Sequence, residues 1–384
     1  MTEWIECTLD KLGEIVGGAT PSTKCEDYYG GSIPWITPKD LSSFKGRYIT
    51  SGERNITEKG LASCSAQMMP KDAVLFTSRA PIGYIAIASQ SVCTNQGFKS
   101  IVVNEKADPL FVYYLLKYNK DAIEAMGSGT TFKEVSGKTM RAVKVRIPLD
   151  VSYQNRIAAV LDSLDTKIEN NERINDNLHQ QAATLFKALF VDLTPFDGTM
   201  PPNWTISTLG DATEMGAGGD KPKESSPVKT PLCPYPIYSN GINDYGLYGY
   251  TNDPKIKVES VTVSARGTIG YVCLRHTPYV PIVRLVTLIP DTKVLSAKYL
   301  YLYLRQLHIT GTGTTQQQLT VPDFRKTEII IPDKNTMDSF TETVTPLFEQ
   351  IWANEDENTK LAEVRDALLP KLMSGEIDVS DIQL

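Results

Sequence analysis

The longest regular pattern in the sequence is a seam of apolar residues and asparagines that recur at alternating intervals of four and three residues. One seam extends from Ile157 to Leu189, and a second, in which Arg365 occupies one position, extends from Phe340 to Leu372. A 3.5-residue spacing kept over several heptads is typical of helices paired in a coiled coil. The sequence therefore predicts two long helices that pair with each other, each with a seam of about 50 Å at 1.5 Å per residue.

Both seams place asparagine at the same two positions. A buried polar residue in such a seam lowers stability but fixes the register of the helices. In an antiparallel pair the asparagines of one helix would face those of the other, so we expect them to set the register. The four residues are Asn171, Asn175, Asn354 and Asn358.

Outside the seams the pattern changes to short apolar runs of the strand type, separated by turns rich in glycine and proline. Two short helical segments lie among them, at residues 108–126 and 296–307. Their tyrosines recur at helical spacing, and we interpret them as core residues rather than as platforms for stacked bases. In the second long helix, Pro346 predicts a break or a fresh helix start. The tyrosines are Tyr113, Tyr114, Tyr299, Tyr301 and Tyr303.

The strand-rich part of the sequence occurs twice. The loop GSGTT at 127–131 returns as GTGTT at 311–315, and VLFTSRAPIGYIAI at 74–87 aligns with VTVSARGTIGYVCL at 261–274. The second alignment places Arg79 opposite Arg266. Convergent glycine–threonine turns would not keep several matches in the same order, so the pattern indicates an internal duplication.

This order of elements predicts the fold class α+β, with two similar α/β domains separated by a pair of long antiparallel coiled-coil helices and related by an internal pseudo-twofold repeat. The expected boundaries are 1–150 for the first domain and 151–191 for the first helix. The second domain is expected at 192–335, and the second helix with its tail at 336–384. A chain of 384 residues is long enough for two such cores.

Charge changes this picture little. The net charge is −6, but residues 336–384 alone hold 3 basic and 11 acidic side chains, so the two copies are near neutral. Local basic faces on neutral domains can still bind DNA. No apolar run is long enough for a membrane span, and the N-terminus has no signal pattern, so we expect a cytoplasmic protein.

The sequence also lacks the patterns expected of a DNA-modifying enzyme. It contains no N-P-P-[FYW] amino-methylase motif and no G-x-x-x-x-G-K-[ST] nucleotide loop. Its six cysteines form no C-x-x-C pair, and with three histidines no zinc spacing arises. We therefore expect neither a catalytic site nor a metal site in this chain.

Several motifs resemble the specificity subunit of type I restriction-modification systems. The resemblance covers essentially the whole chain, in the family's order of recognition domain, spacer helix, recognition domain and spacer helix. The matching segments are IPWITPKDL (33–41), SRAPIGY (78–84), the GSGTT loop, IPLDVSYQNRIAAVLDSLDTKIENNERI (147–174), YPIYSNGINDYG (235–246), SARGTIGY (264–271) and LLPKLMSGEID (368–378).

The resemblance implies a DNA-reading protein without catalysis of its own. Each recognition domain would read one half of a bipartite site in double-stranded DNA, and the helices would fix the gap and dock two methyltransferase subunits. Those subunits would carry S-adenosylmethionine and methylate adenine, so no cofactor is expected in this chain. Motor-nuclease subunits would join for restriction. The second spacer, at 335–352, differs in sequence from the first and carries Pro346, so the resemblance does not imply equal docking at the two ends.

Candidate DNA contacts come from the repeat. Arg79 and Arg266 occupy equivalent turns in domains expected to read different sequences, so phosphate contact is favoured over base readout. A structural ion pair present in both copies is the alternative. After the repeated loop the copies diverge, and base readers are expected there, although a solvated polar loop would show the same divergence. The further candidates are Thr131, Lys133 and Lys138, then Thr315, Gln316, Gln317 and Gln318, and finally Lys39, Ser239, Asn240 and Tyr245.

Two other functions fit the same patterns. A two-headed coiled-coil scaffold that binds protein or glycan would also have near-neutral domains and an acidic last helix. An enzyme acting directly on DNA would need clustered ligands or catalytic residues, which the sequence does not display. Co-purification with a methyltransferase, salt-sensitive DNA binding and a nuclease assay with magnesium separate these possibilities.

Overall fold

A computed structural model of the protein describes residues 3–129, 133–311 and 318–382. The chain divides into two compact units, and each of them takes part of both long helices. Unit 1 comprises Met1–Glu172 and Glu355–Leu384, whereas unit 2 comprises Arg173–Asn354. Of the helices in the described residues, none combines the length and apolar character that a membrane span requires.

Unit 1 contains three sheets. Five strands form a mixed sheet in the order β2-β9-β6-β7-β4, three form β5-β3-β8, and β1 pairs antiparallel with β10. Its short helices are α1 (Pro38–Ser42), α2 (Glu58–Ala62), α3 (Pro109–Tyr118), α4 (Lys120–Ala125) and α5 (Gly137–Ala142). The strands are β1 (Trp4–Thr8), β2 (Gly13–Gly17), β3 (Tyr29–Ile36), β4 (Tyr48–Ile49), β5 (Arg54–Ile56), β6 (Val74–Ser78), β7 (Ile82–Ala88), β8 (Cys93–Thr94), β9 (Lys99–Val103) and β10 (Lys144–Pro148).

Unit 2 also contains three sheets, in the orders β12-β19-β16-β17, β13-β15-β14-β18 and β11-β20. Its short helices are α7 (Leu209–Ala212), α8 (Ala297–Gln306) and α9 (Val321–Phe324). The strands are β11 (Thr205–Thr208), β12 (Thr213–Ala217), β13 (Ser225–Ser226), β14 (Tyr235–Tyr238), β15 (Leu247–Thr251), β16 (Ser260–Val263), β17 (Val272–Arg275), β18 (Val280–Pro281), β19 (Val286–Pro290) and β20 (Glu328–Ile331).

The two units repeat the same topology. The order β2-β9-β6-β7 of unit 1 corresponds to β12-β19-β16-β17 of unit 2, and the pair β1-β10 corresponds to β11-β20. A short parallel pair also recurs, as β3 with β8 and as β14 with β18. The internal duplication predicted from the sequence is therefore present in the fold.

Each unit packs its sheets against a helix rich in aromatic residues. In unit 1, Tyr113 and Tyr114 of α3 are buried in a core that includes Phe76 and Ile101. In unit 2, Tyr299 and Tyr301 of α8 are buried in the equivalent core, and Tyr303 is partly buried against it. The prediction that these tyrosines belong to the core is confirmed, because four of them are buried in the two cores and Tyr303 packs against the second.

Two long helices, α6 (Val151–Phe186) and α10 (Lys334–Ser374), pair antiparallel within each unit. In unit 1 the start of α6 packs on the end of α10, where Ile157 and Leu161 share a core with Leu372. An ion pair of 2.7 Å joins Asp165 and Arg365 in the same stretch. Nearer the end of the unit, Asn171 Nδ2 donates to Asn358 Oδ1 over 2.8 Å.

In unit 2 the end of α6 packs on the start of α10. Asn354 Nδ2 donates to Asn175 Oδ1 over 2.7 Å, and Asn175 Nδ2 donates to the Ile351 carbonyl over 3.3 Å. The asparagines thus face one another in two pairs, one in each unit. With two similar α/β units and a pair of long antiparallel helices, the predicted fold class is confirmed.

Two details of the helix prediction are wrong. Helix α10 continues through Pro346 without a break. Proline costs about 3 kcal/mol inside a helix, but burying a side chain such as Val344 or Phe348 contributes about 1.5–3 kcal/mol each. The alternating spacing of four and three residues from Ile157 places Leu185 in the seam, but Leu185 is exposed, whereas Phe186 is buried in an aromatic cluster with Phe190. The aromatic core of unit 2 replaces the heptad seam there.

Candidate nucleic-acid interface

The candidate contacts lie on turns that follow neighbouring strands. In unit 1, β3 and β8 are parallel, with Ile36 opposite Thr94, so the segments that follow these two strands leave the sheet at the same edge. Directly after β3, Thr37 leads into the first turn of α1, which carries Lys39, and the turn after β8 comprises residues 95–97. Gly97 lies so close to the first turn that an added Cβ would be 2.8 Å from Pro38 Cγ.

A third turn, which carries Arg79, joins these two. It directly follows β6, and the amide of Ser78 donates to the Gly97 carbonyl over 2.7 Å. Residues 37–39, 95–97 and 79–81 therefore lie side by side. We call this surface the three-turn face of unit 1.

Unit 2 has the equivalent three-turn face, formed by residues 239–241, 282–284 and 264–267. The side-chain amide of Asn240 connects its turns. Asn240 Oδ1 accepts from the amide of Ala265 over 2.7 Å, and Asn240 Nδ2 donates to the Val283 carbonyl over 2.6 Å. Both ends of this amide thus bind the protein's own backbone.

In unit 1, Arg79 lies beside a carboxylate that it shares with a lysine. Arg79 Nη1 is 3.4 Å from Glu134 Oε2, and Lys99 Nζ is 3.7 Å from Glu134 Oε1. Glu134 is held in place because its backbone pairs with Ser128, which closes the loop that begins with GSG. Two cations balanced by one anion leave local positive charge, which suits a phosphate.

In unit 2, Arg266 has a neutral partner. Its Nε and Nη2 donate to Gln318 Oε1 over 3.2 and 3.0 Å. Gln318 is tied to the same turn because the amide of Leu319 donates to the Ala265 carbonyl over 3.0 Å. Both arginines therefore contact the segment that follows the repeated loop, but only Arg79 does so through an ion pair.

The remaining candidates are placed differently. Lys39 Nζ lies 2.6 Å from Glu53 Oε2, with side chains that are 77% and 63% exposed. The hydrogen bond that Lys39 donates to the Glu53 carboxylate raises the pKa of Lys39 above its usual value. Such an exposed pair contributes little to stability, so a phosphate can compete for the lysine. Lys133 and Lys138 are exposed, on the loop and on α5 respectively.

In unit 2, the backbone amide of Ser239 donates to the Gly246 carbonyl over 2.8 Å. The Tyr245 side chain is 53% exposed, and its backbone has a φ of 55°. Four sequence-predicted contacts lie outside the described residues, namely Thr131, Thr315, Gln316 and Gln317.

Sequence reasoning missed the supports of this surface. Buried Arg275 donates through Nη2 to the Tyr245 carbonyl over 2.7 Å, and its guanidinium lies 3.5 Å from the ring centroid of Tyr238. It thereby fixes the tyrosine turn beside the face. Glu134 was also missed, although the repeat alignment that matches the GSGTT and GTGTT loops places it opposite Gln318. Within the described ranges, no group of three or more His, Cys, Asp or Glu side chains could hold a metal ion.

Comparison with known proteins shows the family to which the chain belongs. The family model described as the type I restriction modification DNA specificity domain matches residues 1–180 and 201–363. The chain belongs to this family. The sequence-based prediction of a DNA-recognition protein rather than an enzyme is thereby confirmed.

Individual relatives agree. The chain is 33% identical over 415 residues to the type I restriction enzyme MjaIX specificity subunit of Methanocaldococcus jannaschii, covering 99% of this chain and 95% of the relative. It is 25% identical over 370 residues to the HindI specificity subunit of Haemophilus influenzae, covering 73% and 80%. A crystal structure of the S subunit from M. genitalium shares the fold, with a TM-score of 0.62, 16% identity and coverage of 97% and 96%.

Proposed function

We propose that each unit reads one half of a bipartite site in double-stranded DNA through its three-turn face. The observation that supports this is the repetition of the face, with an arginine at the same place in each copy and different residues around it. Shared arginines suit the phosphate backbone, which is the same in both half-sites. Divergent neighbours suit different bases.

As a member of the family, the chain acts with DNA and with the methyltransferase and restriction subunits of a type I system. We assign residues 1–150 and 192–335 to recognition, and residues 151–191 and 336–384 to the spacer. The spacer would fix the unread gap and dock two methyltransferase subunits. Those subunits would bind S-adenosylmethionine and methylate adenine, motor-nuclease subunits would add restriction, and the complex would work in the cytoplasm.

Long-read sequencing that detects methylated adenine tests the proposal in cells carrying the complete system. The expected result is a methylated motif in two parts, separated by a gap of fixed length. Deleting this chain should abolish that methylation at both halves. A continuous motif, or methylation that survives the deletion, would reject the proposal.

Co-purification tests the alternative of a scaffold that binds protein or glycan. The tagged chain should bring down the methyltransferase subunits, and the assembly should bind DNA with strong dependence on salt. Family membership does not favour the scaffold. Binding to DNA that salt does not weaken would revive it.

A further inference from the structure

The turn after β18 has an unusual backbone. Val283 and Arg284 both have left-handed backbone angles, with φ values of 52° and 62°. Glycine and asparagine adopt this region readily, whereas a β-branched residue such as valine does so rarely. Strained residues of this kind persist only where the surrounding structure holds them, and they cluster at binding sites.

Four hydrogen bonds hold this turn. The amides of Val283 and Arg284 each donate over 2.9 Å, to the carbonyls of Gly219 and Gly218 respectively. The Val283 carbonyl accepts from Asn240 Nδ2 over 2.6 Å. The amide of Leu285 donates to the Ile282 carbonyl over 3.0 Å. The backbone of Arg284 is therefore anchored, so its side chain leaves the protein from a fixed point.

The anchored turn faces outward on the three-turn face. Both of its residues, Val283 and Arg284, are exposed, Val283 to 48%. Through Asn240 the turn is tied to Ala265, the residue that precedes Arg266. Within residues 3–129, 133–311 and 318–382, the guanidinium of Arg284 forms neither a hydrogen bond nor an ion pair. Its donors are available to a ligand.

Unit 1 carries different chemistry at the same turn. The alignment that places Arg79 opposite Arg266 also places Gly97 opposite Arg284. A side chain at Gly97 would force its neighbours to shift, because a Cβ there would approach Pro38 Cγ to 2.8 Å. The two faces thus share one arginine position and differ completely at the other. The two half-sites differ in base sequence and share the same phosphate backbone. A contact present in only one unit is therefore suited to reading bases.

We propose that Arg284 reads a guanine in the half-site of unit 2, an assignment that rests on the proposed function of the three-turn face. The guanidinium fork matches the O6 and N7 acceptors of guanine in the major groove. A fixed backbone serves this purpose because bidentate recognition depends on orientation. Arg266, by contrast, contacts the phosphate backbone.

The test compares the complete system carrying Arg284→Asn with the wild-type system. Asparagine tolerates the left-handed backbone, so the variant keeps the fold and loses only the long fork. The methylated motif is read by long-read sequencing. Binding of the purified full chain is then measured on duplexes that carry each base pair at each half-site position.

Arg284→Asn should lose about 10-fold preference for guanine at one position, leaving the other half-site unchanged. Arg284→Lys should retain little of the wild-type preference for guanine, since lysine lacks the planar fork of donors. Lys293→Ala is the matched control, because this exposed lysine follows the opposite end of β19. Its motif should equal that of the wild type.

Two other outcomes are distinguishable. A wild-type motif in two parts that Arg284→Asn leaves unchanged at every position would overturn this assignment and leave the proposed function intact. Uniform weakening on all duplexes would also overturn it, because a phosphate contact behaves in that way. If the wild-type system methylates no split motif, the proposed function fails and this inference fails with it.

Discussion

Arg266 and Gln318 are joined by two hydrogen bonds to one amide oxygen, with N···O distances of 3.2 and 3.0 Å. The equivalent contact in unit 1 is an ion pair of 3.4 Å between Arg79 and Glu134. Lys99 compensates for the added carboxylate, since its Nζ lies 3.7 Å from the same side chain. Each cluster therefore carries one net positive charge by a different combination of residues.

Exchanging the two acceptors should change DNA affinity in opposite directions. Glu134→Gln removes the anion that balances Arg79 and Lys99, so affinity for every duplex should rise. Gln318→Glu adds an anion beside Arg266, so affinity should fall. The slope of log K against log salt changes by about 0.9 for each phosphate that the protein neutralises.

Fluorescence anisotropy at several salt concentrations measures these slopes on one duplex. The two variants serve as controls for each other, because they make the same chemical exchange in reverse. Equal slopes for both variants and the wild type would show that neither cluster approaches DNA.

Removing either shared arginine should weaken binding to all duplexes alike. Arg79→Ala and Arg266→Ala should each reduce the magnitude of the negative slope of log K against log salt by about 1, without altering base preference. Lys187→Ala provides the control, because this lysine lies just beyond the end of α6 and is paired with Asp192. A change in preference at a single base pair would instead assign the arginine to base readout.

Gln317 follows the repeated loop, where the sequences of the two units diverge. Gln317→Ala should relax preference at one base pair, because a glutamine amide pairs with adenine through two hydrogen bonds. Binding to a panel of single-substitution duplexes measures this. The salt slope should stay at the wild-type value, and an altered slope with unchanged preference would contradict the prediction.

The helices and the repeat could be predicted from sequence because both depend on periodicity. The asparagines were visible since a polar residue interrupts an apolar seam at fixed spacing. The end of the seam could not be predicted from the sequence, because burial of Phe186 in place of Leu185 depends on the aromatic core of unit 2.

The site was predicted less completely. Arg79 and Arg266 could be chosen as candidates because the repeat places them at equivalent positions, and their contact with DNA stays a prediction. Arg284 has no match in the other copy and no motif, and its left-handed backbone depends on hydrogen bonds from distant residues such as Gly218. Arg275 was missed for a similar reason, since its role depends on contacts with Tyr238 and Tyr245.

The asparagine pair in unit 2 should show strong coupling. Asn175→Leu leaves Asn354 Nδ2 without its 2.7 Å acceptor, which should cost about 1–3 kcal/mol. The double variant with Asn354→Leu removes both polar groups, so its loss should be smaller than the sum by about 0.5–3 kcal/mol. Denaturant unfolding of the wild type, the two single variants and the double variant measures this double-mutant cycle. If the losses in free energy of unfolding are additive, direct coupling between the two asparagines is contradicted.

Register is a separate property of the same residues. Replacing all four seam asparagines with leucine should loosen the register, because apolar seams permit several alignments. Spin labels placed on α6 and α10 would then give a broad distance distribution. A single narrow distribution would show that other contacts set the register.

Acid should destabilise unit 2 through Asp333, which precedes α10. Hydrogen bonds from the side chain and amide of Thr336, and from Trp204 Nε1, lower the pKa of this carboxyl. A pKa lower in the folded state stabilises the fold above the unfolded value, near 4. That stability is lost as the pH falls through the folded pKa.

Asp333→Asn should therefore flatten the fall in unfolding midpoint below about pH 4, since asparagine keeps the helix cap but does not titrate there. Thermal unfolding followed from pH 3 to pH 7 measures this. A variant as acid-sensitive as the wild type would place the titrating group elsewhere.

The division of both long helices between the units has a consequence for synthesis on the ribosome. Unit 2 is one uninterrupted stretch, so every residue of its core has been translated by Asn354. Unit 1 begins earlier but lacks Leu369, Leu372 and Val379 until the last codons of its second segment are read. Unit 2, which is translated in the middle, can therefore complete its core first. The first segment of unit 1 keeps an uncovered apolar face until the end of α10 has been synthesised.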